Sequence, residues 1–559
     1  MKIFKKWWFV LIILLLAGGA FYLWKSNTPL GELGELAAED GDHQLRDELR
    51  PAKGGTRLLV FAFDGVGADE LEKAIRSRKT SRIAQLLGED EGNGLFKNGY
   101  SVQNAMSILP STTMAAWSSI YTGKPPAETG VPGNEWFVRE EMKFYAPAPV
   151  SVTENKHTLQ MLNDGLVGNA LKVPTIFEML DVRSYVSLSP IYRGADIFTT
   201  PKPTTLAEVA VAVAKGMVGE ETVSQEVYKE VDYESVSKLL ETIKRNGPAD
   251  MQVVYFPGID LYSHIANYPL EKQEEYLQRV LDSAMGSILD VYEKAGILDE
   301  TYIMFIADHG HTPVLNDDRH ALSSEGGHEP PDLLKKLGWR VRPFELEPKE
   351  EDYQATVAYQ GAIAYVYLAD RSTCPDKGQK CDWKRGPRLE EDVMPLVRAF
   401  YKANETGEGV PELKGTLDLI FAREPRPIGQ DALPFKIFDG NSLLAIGEYL
   451  TKHPRPDLLN LEERMRGLAA GPYGHRAGDI LLLSKSGFEQ PVEERYYFSA
   501  PYHSWHGSPT KQDSHIPIII AKKGSSGQEL QALVNEVAGQ QPSQLDIVPI
   551  MKRIFNKKN

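Results

Sequence analysis

Four continuous apolar runs, "RLLVFAF" (Arg57 to Phe63), "MQVVYF" (Met251 to Phe256), "YIMFIA" (Tyr302 to Ala307) and "IPIIIA" (Ile516 to Ala521), punctuate the chain. Runs of this length without polar alternation mark strands buried on both faces. Between them the apolar positions recur at helical spacing, over Asp69 to Leu87, Tyr233 to Arg245 and Glu274 to Ala295. In the last of these, Leu277, Val280, Leu281, Met285, Ile288 and Val291 keep a 3.6 period. Strands alternating with helices predict an α/β fold with a mostly parallel central sheet. Two blocks interrupt the alternation. Residues from about 137 to 205, rich in Pro and Thr, read as a surface insertion. Residues 341–475 hold strand-like "GAIAYVYLA" and "TLDLIFA" around a helix near Glu390 to Ala403, which reads as a small α+β cap. The core is then expected to run over 57–340 and 476–559, resuming at "GDILLLS" (Gly478 to Ser484).

Ahead of the core, an uncharged run from Trp7 to Trp24 follows Lys2, Lys5 and Lys6 and is closed by Lys25. As a helix it would span roughly 27 Å, close to the ~30 Å hydrocarbon core of a bilayer. Aromatics sit at both of its ends and acidic residues follow it, which orients the body outward. Residues 1–25 are thus an anchor or, given Ala17-Gly18-Gly19-Ala20, a cleaved signal peptide. Either reading exports the protein, to the outer face of the cytoplasmic membrane or as a periplasmic or secreted form. Residues 26–56 are polar and acidic and read as a linker.

The net charge of −15 at pH 7 argues against a nucleic-acid polymer as partner, since phosphate backbones are held by excess Lys and Arg. Small anions remain possible, because bound divalent cations would reverse the local field. The only two cysteines, Cys374 and Cys381, are close enough for a small disulfide loop in an exported protein.

Ligands of α/β sheets gather at the carboxyl ends of the strands, and here those ends carry metal-ligand chemistry. The first strand runs into Asp64. The second runs into "PGIDLYSH", with Asp260 and His264 four residues apart on one helix face. The third runs into Asp308-His309-Gly310, and His506 precedes the last strand. An aspartate at a strand end is by itself more often a turn former or N-cap. Three carboxylates and three histidines at one sheet edge instead fit two sites of three protein ligands, the open arrangement of a catalytic metal. A nucleophile comes from "PSTTMAAWSS", where Thr112 or Thr113 stands at a predicted helix N-terminus suited to holding an anion.

In order, "FAFDG", "PSTTMAAWSSIYTG", "GVPGN", "PGIDLYSH", "ADHG", "HGSP" and "DSHIPIIIA" resemble the alkaline phosphatase superfamily, and most of all its type I phosphodiesterase/nucleotide pyrophosphatase branch. The resemblance covers roughly Arg57 to Arg340 and Gly478 to Phe555. It implies a three-layer α/β sandwich with two metals, usually zinc. Asp64, Asp308 and His309 would hold one metal beside the nucleophile Thr113, which also contacts it, with Thr112 as the fallback. Asp260, His264 and His506 would hold the other, and Asn134 would steady a phosphate oxygen. Nucleotide-cleaving members tend to carry an Asn three residues after the nucleophile, where this chain has Ala116.

Trp136 and His311 are further substrate-binding candidates. The implied activity is hydrolysis of a small phosphate ester, a diester foremost, through a covalent phospho-threonine. The alternatives are a phosphomonoesterase, a membrane-anchored phosphoryl or phosphoethanolamine transferase, and a non-catalytic binding module.

Overall fold

The computed structural model describes residues 42–556 apart from 78–79, 149–155, 203, 207, 209–224 and 323–329. The anchor or signal segment expected over 1–25 lies outside the described residues. No described helix is long and apolar enough to cross a membrane.

The apolar runs do form strands, and all but the last pair in parallel. Ile197–Thr199, Ser184–Ser187, Met251–Phe256, Arg57–Phe63 and Thr301–Ala307 lie side by side as a five-stranded parallel core. Ile518–Ala521 joins Thr301–Ala307 antiparallel, and three short strands between Asp90 and Ser101 extend that edge.

Successive side chains of a strand point to opposite faces, and both faces here are apolar. Leu58, Val60 and Ala62 enter one core, while Leu59, Phe61 and Phe63 enter another. Thr113–Thr122 and Ile547–Asn556 cover the first face. Ala68–Arg76, Gln225–Asn246 and Asp282–Lys294 cover the second. The result is a three-layer α/β sandwich around a mostly parallel sheet.

A second, six-stranded antiparallel sheet runs in the order Ala355–Tyr359, Ile363–Leu368, Ile480–Ser484, Leu417–Ala422, Lys436–Phe438 and Leu443–Ala445. The helices Met394–Thr406 and Leu461–Ala469 pack on its two faces.

Three expectations change. Ile480–Ser484, expected to return the chain to the main core, lies at the centre of the second sheet. An apolar run records that a strand is buried but not which sheet it joins. The block from 137 to 205 contributes Ser184–Ser187 and Ile197–Thr199 to the central sheet, strands too short to show a run among Pro and Thr. The linker read over 26–56 gives way by Asp42, since Asp42–Gln44 adds an antiparallel strand beside Ile197–Thr199. Arg50 there pairs with the buried Asp196 at 2.7 Å. Cys374 and Cys381 are disulfide-bonded, within the core on one face of the second sheet.

Candidate active site

Asp64 directly follows Arg57–Phe63, and Asp308 and His309 directly follow Thr301–Ala307, so the parallel pairing of those strands sets the three side by side. Met251–Phe256, on the other flank of Arg57–Phe63, leads through Pro257 into the helix Gly258–Ile265. One turn of that helix carries Asp260 and His264 on the same face. His506 follows the two-residue strand Ser504–Trp505, which pairs with Thr312–Pro313 just past His311. All seven residues proposed from the sequence as metal contacts, Thr113 included, are buried.

The carboxylates and histidines among them, joined by His311, fall into three overlapping groups of ligand atoms, each within 4.8 Å: Asp64, Asp308 and His309; Asp260, His309 and His506; and Asp260, His264 and His311. Nε2 of His309 lies 3.4 Å from Oδ1 of Asp64 and 3.3 Å from Oδ2 of Asp308. Nε2 of His264 lies 3.4 Å from Oδ2 of Asp260. The rings of His309 and His506 stack with centroids 3.6 Å apart.

The hydrogen bonds around the cluster leave one set of atoms free and spend the other. Nδ1 of His264 faces the carbonyl of Ser504 at 2.8 Å, that of His309 the carbonyl of Gly310 at 3.1 Å, and that of His506 the carbonyl of Ser111 at 3.0 Å. A carbonyl accepts only, so each Nδ1 carries the proton and each Nε2 presents a lone pair to the cluster. The carboxylates are split in the same way. Oδ1 of Asp308 accepts from the N–H groups of Gly65 and His309, and Oδ2 of Asp64 accepts from the hydroxyl of Tyr255.

What is left over is Oδ1 of Asp64, Oδ2 of Asp308, and Nε2 of His264 and His506. All four are buried with no hydrogen-bond partner in the structure. Orphaned buried polar atoms are costly and uncommon. Four that converge, all acceptors of metal-ligand type, fit divalent cations.

The electrostatics of the protein alone point the same way. Burial, with the nearby charges of Asp308 and Asp260, pushes the Asp64 carboxyl well above the usual carboxylate range, and burial lifts Asp308 to about 7. Burial acts to raise Asp260 also, but His264 and His311 outweigh it and hold its carboxyl well below the usual range. Burial drops His309 to about 3 and His506 well below its ordinary value. The neutral His309 and His506 are in the form that binds a metal, and a bound cation would offset the crowding that raises Asp64 and Asp308.

Thr113 opens the helix Thr113–Thr122, and its Oγ1 sits 3.3 Å from Nε2 of His309. The N-cap residue Thr112 makes no side-chain cap, and its own hydroxyl is buried without a partner. Asn134 takes over the capping from outside the helix, its Oδ1 accepting from the N–H of Met114 at 3.0 Å. That bond uses the oxygen of the Asn134 amide and leaves its NH2 as the group that can donate.

The two remaining candidates fare differently. His311 is buried among the ligand-type side chains, with Nε2 2.7 Å from Oδ1 of Asp260, so its place is in the cluster and not on an open substrate wall. Trp136 is fully buried and stacks on Tyr145 with centroids 4.9 Å apart, so its ring is packed and not presented to a ligand.

Sequence reading missed Tyr255 and Ser504. The hydroxyl of Ser504 donates to the carbonyl of Ser263 at 2.7 Å and lies 2.9 Å from Nδ1 of His311. A tyrosine inside a buried strand, five residues ahead of Asp260, was the signal available for Tyr255.

Solved structures similar to the chain include the murine ectonucleotide pyrophosphatase/phosphodiesterase 5, at 12% identity and TM-score 0.48 over 90% of this chain and 95% of that one. The human ectonucleotide pyrophosphatase/phosphodiesterase 5 follows at 12% and 0.49 over the same shares. Phosphonoacetate hydrolase from Sinorhizobium meliloti 1021, in complex with phosphonoformate, is similar at 16% and 0.47 over 91% and 99%. No curated protein matches the chain. A family model does, that of type I phosphodiesterase / nucleotide pyrophosphatase, over residues 58–386. That span is more than half of the chain and takes in Asp64, Thr113, Asn134, Asp260, His264, Asp308 and His309. By that match the chain belongs to the type I phosphodiesterase/nucleotide pyrophosphatase family and is a phosphoric ester hydrolase.

Proposed function

We propose that the chain hydrolyses small phosphodiesters through a covalent phospho-threonine formed on Thr113, with two divalent cations, zinc foremost, at the buried cluster. The single observation that carries this reading is the set of four orphaned acceptor atoms in the cluster whose His309 lies against the Thr113 hydroxyl. Asp64, Asp308 and His309 would hold the cation next to Thr113, and Asp260, His264 and His506 the other. Such cations, when bound, lower the pKa of a coordinated hydroxyl or water and offset charge on the phosphoryl oxygens.

The chain's own residues supply the rest. Oγ1 of Thr113 attacks phosphorus, the bond to one ester oxygen breaks, and that oxygen leaves as the alcohol. Water then cleaves the phospho-threonine and restores the hydroxyl. The Asn134 amide donates to a phosphoryl oxygen, held in place by its bond to Met114. The N-terminus of Thr113–Thr122 adds its positive end to the same anion. The disulfide supports export, since such bonds persist in oxidising compartments.

The test compares the full chain and Thr113→Ala on bis-p-nitrophenyl phosphate and p-nitrophenyl phosphate. We expect faster turnover of the diester and a loss of about 10³-fold or more in Thr113→Ala. A monoester preference would make the chain a threonine-dependent phosphatase. Transfer to an added alcohol in place of hydrolysis would make it a transferase, and full activity in Thr113→Ala would remove the phospho-threonine.

A further inference from the structure

The turn between the strands Ala355–Tyr359 and Ile363–Leu368 belongs to the second sheet, yet it reaches into the walls of the site. Gln360 in this turn is buried. Its Oε1 accepts from the N–H of Asn134 at 2.6 Å, and its Nε2 donates to the carbonyl of Glu135. Two further bonds strap the same segment to the same sheet. The N–H of Tyr359 donates to Oε2 of Glu135 at 3.1 Å, and the hydroxyl of Tyr365 donates to the carbonyl of Pro132 at 2.8 Å. Gly133 is what lets the amide in, since a Cβ there would come within 1.9 Å of Oε1 of Gln360.

From the opposite side the turn grips His506. The N–H of Ala362 donates to the His506 carbonyl at 3.0 Å. Gly361 stands at φ +69°, and a Cβ there would lie 2.1 Å from the same carbonyl oxygen.

We propose that Gln360 is a positioning residue for Asn134, and that the second sheet thereby completes the phosphate-binding side of the active site. The chain of contacts runs from the Gln360 amide to the Asn134 backbone, and from the Asn134 side chain to the N–H of Met114 beside Thr113. Without Gln360 the segment keeps the bonds at Pro132 and Glu135, but the Asn134 N–H loses its acceptor and the side chain keeps its bond to Met114. Displacement of a binding donor by about an ångström costs up to roughly 100-fold in rate. The proposal rests on the reading of Asn134 as a donor to phosphate.

The experiment is a double-mutant cycle on the full, metal-loaded chain with Gln360→Met, Asn134→Ala and the double variant. Inhibition by inorganic phosphate and kcat/KM on bis-p-nitrophenyl phosphate are the readouts. Gln360→Met keeps the length of the side chain and loses both hydrogen bonds. We expect it to weaken phosphate inhibition and lower kcat/KM roughly 10- to 100-fold, with unchanged metal content. The double variant should be no worse than Asn134→Ala within about twofold, because coupled residues are not additive.

Losses that multiply in the double variant would overturn the proposal, as would unaltered phosphate inhibition in Gln360→Met. Should Gln360→Met not fold, Gln360→Glu retains the acceptor for the Asn134 N–H, and we expect the same non-additivity with a smaller loss. Unaltered phosphate inhibition in Asn134→Ala alone would overturn the reading of Asn134 as a phosphate donor, and this proposal with it.

Discussion

Tyr255 donates its phenolic hydroxyl to Oδ2 of Asp64, and Oδ1 of the same carboxylate is buried without a hydrogen-bond partner. One bond therefore selects which oxygen of Asp64 faces the cluster. Burial, and then the charge of Asp64, push the Tyr255 hydroxyl well above its ordinary pKa, so it remains a donor throughout the working range. Trp117 packs edge-on to the Tyr255 ring with centroids 5.4 Å apart, an interaction that needs the ring and not the hydroxyl.

Tyr255→Phe should thus fold normally and bind metal about 10- to 100-fold more weakly, the usual cost of losing a partner that orients a ligand. Metal content after dialysis against a graded series of chelator concentrations measures this. Retention equal to the parent would show that Asp64 needs no such orientation.

Removal of metal should be felt as stability as well as activity. The four orphaned acceptors and the crowding of Asp64, Asp308 and Asp260 burden the metal-free fold, and cations that bind only the folded chain relieve it. At about 1,000 times its dissociation constant, a bound ion contributes about 4 kcal/mol. Stripped protein should melt several degrees lower and recover on addition of zinc or manganese. Asp308→Asn keeps an acceptor for the N–H groups of Gly65 and His309 but presents an amide nitrogen where Oδ2 stood. It should recover less. Calorimetry on both proteins, with and without metal, decides the point, and equal gains would detach Asp308 from the metal.

The ends of Arg57–Phe63 and Thr301–Ala307 were legible because a long buried strand announces itself, and a charged residue at its end is then conspicuous. Strands of three or four residues, such as Ile197–Thr199 and Ser184–Ser187, carry too little pattern to be seen among Pro and Thr. Ile480–Ser484 was visible as a strand but was assigned to the wrong sheet, because its partners Ile363–Leu368 and Leu417–Ala422 are chosen by tertiary packing. Gln360 was illegible for a related reason. It lies 226 residues from Asn134, in a segment set aside as a cap, and a lone glutamine in a turn has no local signature.

The disulfide should matter to the second sheet and not to the chemistry. Cys374 and Cys381 close a loop seven residues apart in sequence, and both are buried in the core that includes Trp383 and Tyr353. The chain-entropy argument for so short a loop gives about 2.5 kcal/mol. Cys374→Ser/Cys381→Ser should lower stability to denaturant by roughly that amount and leave KM for a diester unchanged. A change in KM without a loss of stability would place this loop at the site instead.

Asp232 should add a pH dependence of its own to the stability of the fold. It lies buried on Gln225–Asn246, accepting from the hydroxyl of Tyr276 at 2.7 Å and from the N–H of Gly258, at the head of the helix that bears Asp260 and His264. Burial raises its carboxyl to about 7, with those two bonds opposing, whereas in the unfolded chain it titrates near the ordinary ~3.9. For a group raised on folding, the contribution to stability is fully present below the unfolded pKa and is lost as pH rises through the folded one.

Asp232→Asn removes that titration and keeps an acceptor for the Gly258 N–H. The parent should therefore lose stability relative to the variant between pH 5 and pH 8, most steeply from pH 5 to about 6.5 and levelling off above about 7. Urea unfolding of both proteins at those two pH values reads the difference, in which all other titrating groups cancel. A difference that stays constant between them would mean that Asp232 is already ionised in the folded chain at pH 5, its charge carried by Tyr276 and the helix N-terminus.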